Sequence, residues 1–122
     1  MIVNLTQHSA TLEQKAAGVA DLEGGEREKL AAILTFEELP PRTEIVRRAQ
    51  ALAALAVAHG AKEALIGGAP YLMGPLEVAL CAVGVVPLYA FSVRESVEQV
   101  QADGSVRKVQ VFRHLGFVEG TV

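Results

Sequence analysis

Small polar, glycine and charged residues gather at three points of the chain, each directly after an apolar segment. The three clusters comprise residues 4–11, 67–70 and 92–96. Hydroxyls, an imidazole, backbone N–H groups and a guanidinium are groups that bind phosphate or transfer protons. If the apolar segments are neighbouring parallel strands, the clusters meet at the carboxyl edge of one sheet, where open α/β sheets bind ligands. The spacing therefore predicts an anion-binding pocket at that edge.

The first cluster supplies an amide, hydroxyls and an imidazole. Asn4 and Thr6 share one side of a strand because alternate residues do so, and Ser9 adds a further hydroxyl for ligand binding. An asparagine in an apolar strand needs hydrogen-bond partners, which either a ligand or a neighbouring loop supplies. Histidine exchanges protons near neutral pH, so His8 is either a catalytic acid or base or a histidine of a surface loop.

The other two clusters offer anion contacts. Gly67 and Gly68 follow a buried strand and precede a helix, so their N–H groups either approach an anion or form a tight turn without a ligand. Ser92 and Arg94 follow the last apolar segment. Arg94 either holds a phosphate and assists catalysis there, or forms a surface ion pair with Glu95.

The intervening residues predict the elements that position these clusters. A capping box at Thr11–Gln14 opens a helix, and a strand or extended link follows at residues 19–22. The next helix after Gly68 begins at either Pro70 or Pro75. Apolar runs predict strands over residues 1–5, 64–66 and 85–93, and helical periodicity predicts helices over residues 26–34 and 43–59.

The end of the chain carries a hairpin signal. Asp103-Gly104 separates alternating runs over residues 97–100 and 106–114. Val109 and Val111 are expected to face inward, away from solvent. The element order predicts an α/β fold: one three-layer Rossmann-like domain over residues 1–122, with a mainly parallel sheet and a C-terminal antiparallel β-hairpin.

Composition excludes several classes of function. The chain has 122 residues, a formal net charge of −3 and a pI of about 5.6, which disfavours binding of duplex nucleic acid. Cys81 is the single cysteine, which fits a reducing compartment. It lies in the middle of an apolar helix, so we expect its side chain to be buried in the protein core. No signal peptide is expected and no apolar run approaches the roughly 18 residues of a membrane span, so we expect a cytoplasmic protein that does not bind membranes. His8, His59, His114 and Cys81 lack metal-ligand spacing, so neither a metal site nor a cofactor is expected.

The opening segment, Ile2-Val3-Asn4-Leu5-Thr6-Gln7-His8-Ser9-Ala10-Thr11-Leu12-Glu13-Gln14, together with Ile66-Gly67-Gly68-Ala69-Pro70, resembles one group of proteins. These are the small CRISPR-associated proteins of antiviral defence with a CARF-like Rossmann fold, including stand-alone ring nucleases. The similarity covers these short segments and, loosely, the order of elements. The C-terminal hairpin departs from the pattern of the group.

The resemblance implies a homodimer that binds cyclic oligoadenylate across its two-fold axis. It also implies metal-independent phosphodiesterase activity, in which a ribose 2′-OH attacks the adjacent phosphate and leaves a 2′,3′-cyclic phosphate. Asn4, Thr6 and His8 would line the ring, and Gly67 and Gly68 would offer N–H groups. Two alternatives stay open: a non-catalytic nucleotide- or anion-binding module of phage or mobile-element origin, and a partner-binding protein that uses the hairpin.

Overall fold

A computed structural model describes residues 1–120 and shows an α/β fold. Among these residues are five strands and four helices, in the predicted order except that the segments predicted as strands over 85–93 and 97–100 form a single strand. They are β1 (Ile2–Asn4), α1 (Leu12–Ala16), β2 (Val19–Asp21), α2 (Gly24–Leu34), α3 (Arg42–Ala58), β3 (Glu63–Leu65), α4 (Pro70–Ala82), β4 (Val86–Val100) and β5 (Val106–Glu119). None of the helices within residues 1–120 is long and apolar enough to cross a membrane.

The strands form one sheet in the order β2-β1-β3-β4-β5. The first four are parallel, and β5 runs antiparallel to β4, so the prediction of a mainly parallel sheet with a C-terminal hairpin is confirmed. Asn4 of β1 pairs with Asp21 on one side and with Leu65 of β3 on the other. These three residues mark the carboxyl ends of the parallel strands β1, β2 and β3.

The two faces of the sheet are covered unequally. On one face, α2, α3 and α4 pack over a large core in which the α4 stripe Leu72, Leu76 and Leu80 is fully buried. Each such leucine contributes about 1.5–3 kcal/mol by its burial. The other face carries a smaller cluster that includes Ile2, Leu65 and, from the loop before α1, Ala10. Helix α1 buries no residue of its own.

Local signals account for the ends of α1 and α4. The capping box is confirmed: Gln14 N donates to Thr11 Oγ1 at 3.1 Å, and Thr11 N donates to Gln14 Oε1 at 3.0 Å. Helix α4 begins at Pro70, and Pro75 lies inside it.

The prediction that Cys81 is buried is wrong, because Cys81 lies one position beyond the buried Leu80 and faces solvent. Successive helical residues are rotated by about 100°, so only one of the two faces the core.

Strand β4 is longer than predicted. It does not end at residue 93 but pairs with β5 as far as Val100, with a bulge between Phe91 and Ser92. The predicted Asp103-Gly104 turn is confirmed, with Gly104 at a φ of +85° and Asp103 Oδ1 accepting from Ser105 N at 2.9 Å. The paired segments 91–100 and 106–116 extend beyond the ends of β1, β2 and β3 and are called the ribbon below.

The ribbon's two faces alternate as predicted, but neither is covered. Val109 and Val111 share one face, and Lys108 and Gln110 share the other. The expectation that the two valines face inward is wrong, since Val109 is only half-buried and Val111 is exposed. The physical reason is that β3 ends at Leu65, opposite Leu88, so no third strand reaches the ribbon.

Candidate functional site

A pocket lies where the chain changes direction across the sheet. After β1 the chain moves to β2 on one side, and after β3 it moves to β4 on the other. The loops that follow β1 and β3 therefore part from each other, which opens the crevice in which α/β sheets bind ligands. The pocket has a volume of about 510 Å³. The loops that follow β1 and β3 supply Thr6, Gln7, His8, Ser9, Thr11, Ile66, Gly67, Gly68 and Ala69. The rest of the lining comes from Gln14, Leu34, Leu65, Tyr89 and Ala90.

Asn4 lies beneath the pocket and is buried, with only 3% of its surface exposed. Its Nδ2 donates to Asp21 Oδ1 at 2.8 Å and to the His8 carbonyl at 2.8 Å. Its Oδ1 accepts from Thr6 N at 2.9 Å and from Thr6 Oγ1 at 2.7 Å. These four bonds use the whole capacity of the amide. The partners of Asn4 therefore come from the loop and from β2, and Asn4 holds the loop in place rather than lining the pocket.

Asp21 is the second anchor of this loop, and the sequence analysis missed it. Its Oδ1 accepts from Ala10 N at 3.0 Å in addition to the Asn4 amide. Burial raises the pKa of Asp21, but the Asn4 and Ala10 hydrogen bonds and the charges of Lys15 and Arg27 outweigh it, so the pKa lies below its ordinary 3.8. The available signal was positional: Asp21 ends an apolar segment and aligns with Asn4 in the neighbouring strand.

Thr6 and Gly67 bring the two loops into contact. A Cβ placed on Gly67 would lie 3.7 Å from Thr6 Cγ2, an ordinary van der Waals distance. Gly68 has a φ of +142°, a conformation that side chains disfavour, so a glycine is required there. Among residues 1–120, no backbone acceptor bonds the N–H groups of Gly67, Gly68 and Ala69. These donors precede the first turn of α4 and form an arrangement suited to an anion.

His8 and Ser9 stand at the exposed rim of the pocket. The carbonyl of His8 is bonded to Asn4, which leaves its imidazole on the solvent side of the loop. Ser9 Oγ accepts from Arg27 Nη2 at 2.6 Å. Arg27, on α2, is the second residue that sequence analysis missed, and it places a cation beside the rim.

Ser92 and Arg94 do not line the pocket. Both lie on the ribbon, where Ser92 pairs with His114 and the Arg94 guanidinium lies 5.4 Å from the centre of the Phe112 ring. The expected juxtaposition of Arg94 with Thr6 and Gly67 is wrong, because it assumed that β4 ends beside β1 and β3. The structure brings together Thr6, His8, Ser9, Gly67 and Gly68.

An apolar wall completes the pocket. Leu34, Ile66 and Tyr89 contribute to it, and the Tyr89 hydroxyl donates to Glu77 Oε2 at 2.6 Å. Burial, together with the bond to Glu77, raises the pKa of Tyr89 to about 12, so this side chain stays neutral. Within residues 1–120, no three His, Cys, Asp or Glu side chains cluster closely enough to hold a metal ion. The pocket thus combines N–H donors and hydroxyls with an apolar surface.

One family model matches the chain over residues 1–118, and its description is "Uncharacterized protein MJ1673 family". The match covers nearly the whole chain, including both loops of the pocket and the ribbon. No curated protein and no solved structure matches the chain.

Proposed function

For this chain, which belongs to the MJ1673 family, we propose binding of a small phosphate-containing molecule in the pocket between β1 and β3. The observation that carries the proposal is the set of N–H groups at Gly67, Gly68 and Ala69, without a backbone acceptor and in front of α4. Such a set satisfies phosphate oxygens without a charged side chain. Ser9 adds a hydroxyl and Arg27 adds a cation near the rim, while the Thr6 hydroxyl is engaged by its bond to Asn4 Oδ1.

Cyclic oligoadenylate is the specific ligand we propose, on the resemblance of the β1 and β3 segments to ring nucleases. The pocket volume of about 510 Å³ falls within the roughly 300–1,000 Å³ of small-molecule sites. A ring of several nucleotides is larger than such a site. One pocket would hold a phosphate and its neighbouring base, and a second copy of the chain would hold the rest of the ring.

Bound ligand is either cleaved or only held, and turnover of the ligand distinguishes these two possibilities. In the enzymatic version, His8 accepts the proton of the ribose 2′-OH as that oxygen attacks the adjacent phosphorus, and the leaving 5′-oxygen departs with a proton from solvent. The products carry a 2′,3′-cyclic phosphate and a 5′-hydroxyl. In the alternative, the protein is a cytoplasmic binding module that does not cleave the ligand. The exposed position of His8 allows both.

Calorimetric titration with cyclic tetra-adenylate tests binding. Gly67→Ala adds one methyl group that the fold accommodates at ordinary distance from Thr6. If the ligand lies against this backbone, the methyl group weakens binding at least tenfold. Gly74→Ala is the matched control, since an added Cβ there has open space within α4. Absence of binding by the wild-type protein, or equal binding by both variants, would contradict the proposal.

Incubation with the same ligand in the presence of a chelator tests cleavage. The enzymatic version predicts turnover that His8→Ala reduces far more than it reduces affinity. Binding without any turnover identifies the non-catalytic module.

A further inference from the structure

The pocket between β1 and β3 is lined by neutral groups. Among residues 1–120, its lining includes no lysine, arginine, aspartate or glutamate, and the imidazole of His8 at the rim is its one group that titrates near neutral pH. The donors proposed for the phosphate are the N–H groups of Gly67, Gly68 and Ala69, which add only the partial positive charge of the α4 N-terminus. Such a lining holds an anion by hydrogen bonds and not by an ion pair.

Two carboxylates lie directly behind this lining. Glu77 Oε2 accepts from the hydroxyl of the lining residue Tyr89 at 2.6 Å, and within residues 1–120 Glu77 forms no ion pair. Asp21 Oδ1 accepts from Ala10 N, in the loop after β1, at 3.0 Å. Both groups repel a negative charge in the pocket, and the repulsion grows with the charge of the ligand.

Two cations accompany these carboxylates and do not outnumber them. Arg27 donates to Ser9 Oγ at the rim, and the charges of Arg27 and Lys15 both act on Asp21. The charged groups around the pocket therefore leave no excess of positive charge. The N–H donors and the α4 dipole can offset the single charge of a phosphodiester, but no group is left to offset the second charge of a phosphate monoester.

We infer that the pocket selects a phosphodiester over a phosphate monoester, an inference that rests on the proposed function and narrows its ligand class. An internal linkage of an oligonucleotide carries one negative charge, whereas a terminal phosphate carries nearly two at neutral pH. The ligand is therefore held through an internal linkage. A cyclic oligonucleotide contains only linkages of this kind.

The test compares two probes that differ in one methyl group. Adenosine 5′-monophosphate is close to a dianion at about pH 8, and its phosphate methyl ester is a monoanion there. Calorimetric titration at about pH 8 should show that the ester binds at least about fivefold more tightly. As the pH falls below about 6, the monophosphate takes up its second proton, and its affinity should approach that of the ester.

The ester is also the control for titration of the protein itself. The groups of the chain that bear charge around the pocket are His8, Lys15, Asp21, Arg27 and Glu77. Because the charge of the ester is constant between about pH 5 and about pH 8, any change in its affinity reports protonation of such groups. The ratio of the two affinities therefore isolates the charge of the ligand.

A single variant tests the source of the preference. Glu77→Gln removes one repelling charge and keeps an oxygen that accepts from the Tyr89 hydroxyl. It should narrow the preference for the ester at about pH 8 at least about twofold, because the monophosphate binds more tightly. Glu98→Gln is the matched control: it makes the same change of net charge at an exposed position of the ribbon and should leave the preference unchanged.

Equal or tighter binding of the monophosphate at about pH 8 would overturn the inference and leave the proposed phosphate site intact. A preference that persists unchanged at about pH 5 would also overturn it, because the methyl group and not the charge would then be recognised. So would a preference that Glu77→Gln does not alter. Binding of neither probe would overturn it as well, and titration with cyclic tetra-adenylate then shows whether the proposed function fails with it.

Discussion

Two regions present polar residues beyond the last buried residue of a strand: the ribbon, and the pocket between β1 and β3. They differ in how the rest of the chain holds those residues in place. Thr6, His8 and Ser9 sit on a loop fixed from below by Asn4 and Asp21. Ser92 and Arg94 sit on a strand that simply continues, where each faces solvent. Polar residues converge on a common space only where two chain segments end their strands and turn in opposite directions.

The same comparison separates two kinds of interaction. The loop after β1 is held by hydrogen bonds from the buried Asn4 and from Asp21, and this suits a small ligand that needs donors at set positions. The ribbon is supported only by its own cross-strand pairs, and neither of its faces is covered by another element of the described chain.

The largest expected effect is on the support of the loop. Asn4→Ala removes four hydrogen bonds, takes one of its two donors from Asp21 and leaves the Thr6 amide without its acceptor, so we expect a loss of about 3 kcal/mol in the free energy of unfolding. Ser92→Ala, on the exposed ribbon, should change it by less than about 0.5 kcal/mol. Urea unfolding followed by circular dichroism measures both. Equal losses in the two variants would remove the contrast between the regions.

A smaller effect is expected from the charge of Asp21. Its pKa is lower in the folded chain than its ordinary 3.8, so its contribution to stability is full above that value and disappears as the pH falls through the folded pKa. Asp21→Asn should cost about 1–2 kcal/mol at neutral pH, and the difference from wild type should shrink in acid.

The measurement is urea unfolding repeated from neutral pH to about pH 2, with Glu98→Gln on the ribbon as the control. The exposed Glu98 variant should follow the wild-type curve throughout. If the Asp21→Asn difference were independent of pH, the ionised carboxylate would not be what holds Ala10 and Asn4.

The smallest expected effect is on ligand affinity at the ribbon. Because Arg94 stacks on Phe112 and does not line the pocket, Arg94→Ala should change the affinity for cyclic tetra-adenylate by less than twofold. Gly67→Ala, measured in the same titration, should lower it at least tenfold. A tenfold loss in Arg94→Ala would show that the ribbon belongs to the ligand site after all.

Features encoded by neighbouring residues could be predicted from the sequence. The Thr11–Gln14 capping box, the turn at Gly67-Gly68 and the Asp103-Gly104 hairpin each depend on a few consecutive residues, and each is present. The fold class followed from the order of these elements. Thr6 and Gly67 were placed together because parallel strands share a carboxyl edge, a rule that needs only the topology.

What could not be predicted depends on partners distant in the chain. Asn4 finds Asp21 17 residues away, and nothing in the first strand indicates that partner. The length of β4 is set by β5, which extends the pairing well past the point where β3 ends. Val93, Glu95 and Val97 occupy alternate positions, which is compatible with one continuous strand. The polar residues between them suggested instead that the strand ends there.

We propose that a phosphate-containing ligand binds against the backbone between β1 and β3. The most direct test of this proposal follows the backbone amide resonances of isotope-labelled protein during a titration with cyclic tetra-adenylate. Binding at this pocket should produce saturable shifts at Thr6, Gly67 and Gly68, with Gly104 at the ribbon tip unchanged. A titration that moves no resonance, or that moves only ribbon resonances, would contradict it.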